Sequence, residues 1–81
     1  MEAETKTRQI NEIAAEIITT WTPVHAWARP YVQAMMQLTT VYSFYGHDSA
    51  AYVVNGFLAN AGTWKGENAR RIKLELNKMV K

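Results

Sequence analysis

The 81-residue chain is 48% hydrophobic and 20% charged, with nine lysines and arginines against seven aspartates and glutamates. That length and balance give one globular domain rather than a disordered chain, with about two-thirds of its unfolded surface buried on folding. With no cysteine there is neither a disulfide framework nor a thiolate metal site, and the composition fits a reducing cytoplasm as the expected setting.

The mixed-charge stretch Met1–Lys6 has no apolar core, so it reads as a flexible tail and not as a secretory signal, leaving residues 7–81 as the domain. From about Thr7 to Thr20, the spacing of Ile10, Ile13, Ala14, Ile17, Ile18 and Trp21 predicts an amphipathic helix, with Glu12 and Glu16 on its solvated face. Thr22-Pro23 then reads as the cap and first residue of a second helix. Val24, Ala28, Tyr31, Met35, Leu38, Tyr42 and Tyr45 recur in steps of four and three, widened by Trp27, Ala34 and Val41. The pattern predicts a long central helix whose aromatic stripe is core rather than contact surface, closed by Gly46 in a left-handed cap. At Pro30 a kink or a short break is expected, the preserved phase favouring a kink. This apolar region is broken by His25, Arg29, Pro30, Gln33 and Gln37, which argues against a membrane span.

Asp48 or Ser49 is placed to cap a third helix that buries Ala50, Val53, Val54, Phe57, Leu58 and Ala61. A competing reading makes residues 52–59 a hairpin turning at Asn55-Gly56, but its strands would be three residues each. The helical phase is the longer signal. After Asn60-Ala61-Gly62, a last helix begins at Thr63 or in the turn that follows. It buries Ala69, Ile72, Leu76, Met79 and Val80, with Arg70, Arg71, Lys78 and Lys81 outward. The fold expected from these patterns is all-α, a compact bundle of about four helices.

The run from Phe57 to Leu76, FLANAGTWKGENARRIKLEL, together with Pro30–Met35 and Asp48-Ser49-Ala50, resembles small proteins of unassigned function carried by phages and prophages. The resemblance extends over residues 30–80. It implies a phage-borne helical protein, and it supplies no catalytic or binding residue.

No residue pattern points to catalysis. His25, His47 and Asp48 lack metal-ligand spacing, and Ser43 and Ser49 lack the strained glycine-flanked turn of a nucleophile. Gly46, Gly56, Gly62 and Gly66 do not have the spacing of a phosphate loop. A non-enzymatic role without cofactor or metal is therefore expected. On helical phase Tyr52 and Leu74 point outward, Leu74 beside Arg70 and Arg71, and these four residues form the expected partner-binding set. The expected function is protein–protein interaction, including inhibition of a host or defence factor in the manner of an anti-CRISPR protein, with a homodimer as a further form of assembly. The alternative is a small DNA- or RNA-binding regulator using Lys65, Arg70, Arg71, Lys73 and Lys78. A phage structural or assembly component is a third reading.

Overall fold

A computed structural model describes residues 7–80, so the expected tail at 1–6 and the outward position of Lys81 lie outside the described residues. The described chain is mostly helical, with four helices and one two-stranded ribbon.

Helix α1 spans Ile10–Thr20 and buries Ile10, Ile13, Ala14 and Ile17, as the spacing predicts. Ile18, expected on the same face, lies largely in solvent. The start of α1 is satisfied from two directions. Gln9 N–H donates to the Glu12 carboxylate (2.8 Å), while the N–H groups of Ile10 and Asn11 donate to the carbonyls of Thr39 and Leu38 (2.8 and 3.0 Å). At the other end the Thr19 and Thr20 hydroxyls donate to the Glu16 carbonyl, and the Thr22 hydroxyl donates to that of Ile18. Thr22 thus finishes α1 instead of capping a new helix, and the Thr22–Pro23 peptide is cis.

Helix α2 covers only Arg29–Met35, just under two turns, in place of the long kinked helix expected over 24–45. Proline is tolerated in the first helical turn, where its missing N–H has no partner to lose, and Pro30 sits in that turn. The helix therefore begins at the proline and does not bend through it. Its end is tightened by short-range bonds from Gln37 N–H to Ala34 and from Leu38 N–H to Met35. Beyond it come three β-branched residues, Thr39, Thr40 and Val41, which stiffen χ1 and lower helix propensity. The Leu38 and Thr39 carbonyls that would have carried the helix onward instead face the N-terminus of α1. Of the predicted stripe, Ala28, Met35 and Leu38 are buried and Tyr31 is half-buried, whereas Trp27, Tyr42 and Tyr45 are exposed.

Strands β1 (Phe44–Tyr45) and β2 (Asp48–Ser49) pair antiparallel, Phe44 opposite Ser49 and Tyr45 opposite Asp48. Gly46 has the left-handed conformation the sequence assigns to it (φ +64°), but it turns this ribbon and does not cap a helix. Helix α3 (Ala50–Ala59) follows without a break. Its N-cap is Ser49, whose hydroxyl accepts the Tyr52 N–H (3.1 Å). Residues 52–59 are helix, so the alternative hairpin at Asn55-Gly56 does not form; the hairpin lies ten residues earlier. A connection over residues 60–66 leads into α4 (Glu67–Val80), which buries Ala69, Ile72 and Leu76 and half-buries Met79 and Val80.

The helices close a ring of neighbours: α1 packs on α2, α2 on α3, α3 on α4 and α4 on α1. Phe57 stands at its centre, fully buried. The rings of Trp21 and Trp64 stack in parallel with centroids 5.2 Å apart, and each meets Phe57 edge-on at 6.3 Å.

Candidate interaction surfaces

The residues singled out for partner binding fall on two surfaces. Arg70, Arg71 and Leu74 share one shallow depression along the outer side of α4 with Glu67, Glu75 and Lys78. Leu74 is 57% exposed at the middle of this strip. Tyr52, 61% exposed, stands apart from it on the first turn of α3, beside the ribbon.

The cations of α4 do not form one free stripe. Arg71 bonds the Glu16 carboxylate across the α1–α4 contact and also donates to Asn68 Oδ1 (3.0 Å). On the far side of Glu16 stands Arg8, whose guanidinium reaches Glu16 at 2.9 Å and donates twice to Glu75, at 2.8 and 2.9 Å. Arg8, Glu16, Arg71 and Glu75 therefore alternate in sign and tie the segment before α1 to both terminal helices. Lys73 lies against the other end of α4, with its ammonium donating to the Trp64 carbonyl (2.7 Å) and fastening the α3–α4 connection. Desolvation, and secondarily the positive charge of Lys65, pull the Lys73 ammonium below its ordinary range. Lys65 shares a depression with Arg70 and Lys73, while Lys78 lies towards the C-terminal end of the helix.

Glu16 gives the network a pH signature. The hydrogen bond from Arg71, then that from Arg8, holds its carboxyl below the usual carboxylate range despite partial desolvation. A depressed folded-state pKa contributes stability that is complete above the unfolded value and is lost as pH falls through the folded one. Thermal midpoints should therefore fall on acidification below about pH 4, near the ordinary glutamate pKa. Glu16→Gln should flatten that dependence while lowering the midpoint at neutral pH. An identical acid limb in the variant would show that the stabilising charge is elsewhere.

A second exposed surface lies where the apolar periodicity sets Tyr42 and Tyr45 in a buried helical stripe and gives Phe44 no place. Tyr42 is 86%, Phe44 65% and Tyr45 44% exposed. Two sequence signals could have found it: the β-branched run at 39–41, and a glycine set between Phe44-Tyr45 and His47-Asp48. Trp27 lies in solvent on the connection between α1 and α2, with its N–H donating to His25 Nδ1 (3.2 Å).

The polar residues weighed for chemistry are engaged locally. Ser43 Oγ accepts the N–H groups of Thr39 and Thr40 and bonds the Thr39 hydroxyl, Ser49 caps α3, and Asp48 lies in β2. Among the described residues no group of three or more histidines, aspartates or glutamates is placed to share a metal ion. No described helix is long and apolar enough to cross a membrane. No family model matches the chain, and comparison with curated proteins and with solved structures likewise gives no match.

Proposed function

We propose that this chain acts without chemistry of its own, by docking the outer strip of α4 onto another protein. The observation that carries this reading is Leu74, an aliphatic side chain more than half exposed and surrounded by Arg70, Lys78 and two carboxylates. An apolar contact inside a polar rim is interface anatomy, and arginine, here Arg70 beside it, is among the residue types enriched at hot spots, where truncation costs about 2 kcal/mol or more. The proposed partner is a host or defence protein, and occupying it with a small rigid helix would block it, as the likeness to phage-borne proteins suggests. Arg71 serves the fold through Glu16, so Arg70 and Leu74 are the partner-facing residues of the strip.

The nucleic-acid reading is the weaker one on specific grounds. Helix-turn-helix units join their helices by about 3–4 residues, whereas residues 60–66 separate α3 from α4. Two of the five cations it would need, Arg71 and Lys73, hold internal bonds, and Glu67 and Glu75 share the strip with Arg70 and Lys78.

The test is affinity capture from host lysate with the wild-type chain, Leu74→Glu and Arg70→Glu in parallel, each checked for native circular dichroism. Leu74→Glu should weaken capture of the specific partner at least about 30-fold, the equivalent of 2 kcal/mol. Partners recovered equally by all three chains would refute the α4 strip. A gel shift that weakens steeply with salt and on Arg70→Glu would favour nucleic acid instead.

A further inference from the structure

Charge is unevenly distributed along this chain. Between Pro30 and Trp64 the only formally charged side chain is Asp48; every other lysine, arginine, aspartate and glutamate lies before or after that stretch. The stretch supplies α2, the ribbon, α3 and the turns between them. The ribbon and the first turn of α3 therefore expose Phe44, Tyr45 and Tyr52 with Asp48 as the one charge of their own segment, whereas Tyr42 shares a depression with Arg8 and Lys78 and belongs to the charged side.

The local geometry holds these rings together. Phe44 faces Ser49 across the ladder, and Ser49 Oγ accepts the Tyr52 N–H, so Phe44 and Tyr52 flank the same residue. Ser43, between Tyr42 and Phe44, accepts the Ala50 N–H through its carbonyl (2.9 Å), which fixes the base of the ribbon to the start of α3. Phe44 and Tyr45 point to opposite faces of their strand and both are exposed, so the ribbon stands out from the body.

We propose that this ribbon and the first turn of α3 form a self-complementary interface that takes a second copy of the chain. In a two-fold contact each charge near the axis meets its own copy, so a face with one aspartate among aromatics is suited to like-with-like association. A highly charged partner would find nothing there to pair with. Aromatic side chains bring about 150–250 Å² each, so Phe44, Tyr45 and Tyr52 at these exposures offer on the order of 300 Å² if the partner copy clasps both faces of the ribbon. That is under half of the roughly 800 Å² per subunit of a standard interface, the ribbon backbone and small residues having to supply the rest, so a weak, micromolar dimer is the expected form. The proposal does not rest on the α4 strip.

Sedimentation velocity on the full chain between about 1 and 100 µM reads the association directly, those concentrations bracketing a micromolar Kd. The expected result is a reversible monomer–dimer equilibrium that is little affected by added salt, since apolar contact is not screened. Phe44→Glu, which sets two carboxylates against each other across the axis, should raise Kd at least tenfold with unchanged circular dichroism. Tyr52→Glu is the second variant; it completes a Ser-x-x-Glu capping box with Ser49, so loss of dimer cannot be blamed on a weakened helix. A chain that stays monomeric throughout would overturn the proposal. So would a dimer indifferent to both substitutions, a dimer that dissociates steeply with salt, or one abolished by Leu74→Glu instead. Failure of partner capture by Leu74→Glu with the dimer intact would separate this interface from the function proposed for α4.

Discussion

Phe57→Ala is expected to lose about 3–5 kcal/mol of stability, the range for deleting a buried aromatic side chain. Phe57 is wholly buried and touches both indoles of the stacked Trp21–Trp64 pair edge-on, so the cavity would open where α1, α3 and the α3–α4 connection meet. Neither tryptophan can collapse into it without giving up the parallel stack. A domain of this size has about 4–12 kcal/mol in total, so the variant should be partly unfolded at 37 °C. Urea titration followed by circular dichroism measures the loss, and Phe44→Ala is the control. Phe44 is exposed on the ribbon, and its removal should change monomer stability by no more than about 0.5 kcal/mol. Equal effects at the two positions would contradict the packing described here.

Gly56→Ala should destabilise the protein although alanine is the better helix former. Gly56 lies in the interior of α3, and a β-carbon there would fall inside contact distance of three ring carbons of Tyr31 on α2. Alanine in place of glycine within a helix gains about 1 kcal/mol. Forcing a methyl group into a packed contact costs about 1–3 kcal/mol, so the net loss should be up to about 2 kcal/mol. The sign must then reverse when the ring is removed: in a Tyr31→Ala background, Gly56→Ala should stabilise by up to about 1 kcal/mol. A double-mutant cycle by chemical denaturation gives both numbers. Additive effects would show that the α2–α3 approach does not depend on the glycine.

The parts of this fold legible in the sequence are those where one helix face meets one core. Ile10, Ile13, Ala14 and Ile17 on α1, and Ala69, Ile72 and Leu76 on α4, are buried as their spacing indicates. The cap at Ser49 and the left-handed glycine at 46 were equally readable, because each rests on local backbone chemistry. The region from Val24 to Tyr45 was not, since its apolar periodicity runs unbroken through two local vetoes. Pro30 favours a helix start over a bend, and Thr39-Thr40-Val41 opposes continuation. What decides the matter is a long-range pairing, the Leu38 and Thr39 carbonyls on the N-terminus of α1, which no local pattern contains. The same periodicity concealed the aromatic ribbon, because it weights Tyr42 and Tyr45 towards core over contact surface and leaves Phe44 unassigned. At α4 the outward direction of Leu74, Arg70 and Arg71 was readable from helical phase, but not the bonding of Arg71 to a glutamate 55 positions away.

The three tryptophans occupy two sharply different settings. Trp21 and Trp64 are stacked against the core, whereas Trp27 is 73% exposed. An aqueous collisional quencher such as iodide will therefore extinguish the emission of Trp27 first and leave that of the stacked pair. Two parallel indoles this close also couple their excited states, a signature in ultraviolet dichroism that vanishes once the rings separate. Unmodified protein thus carries separate optical reporters for its surface and its centre, and a melt followed at both reads the opening of each without any added dye.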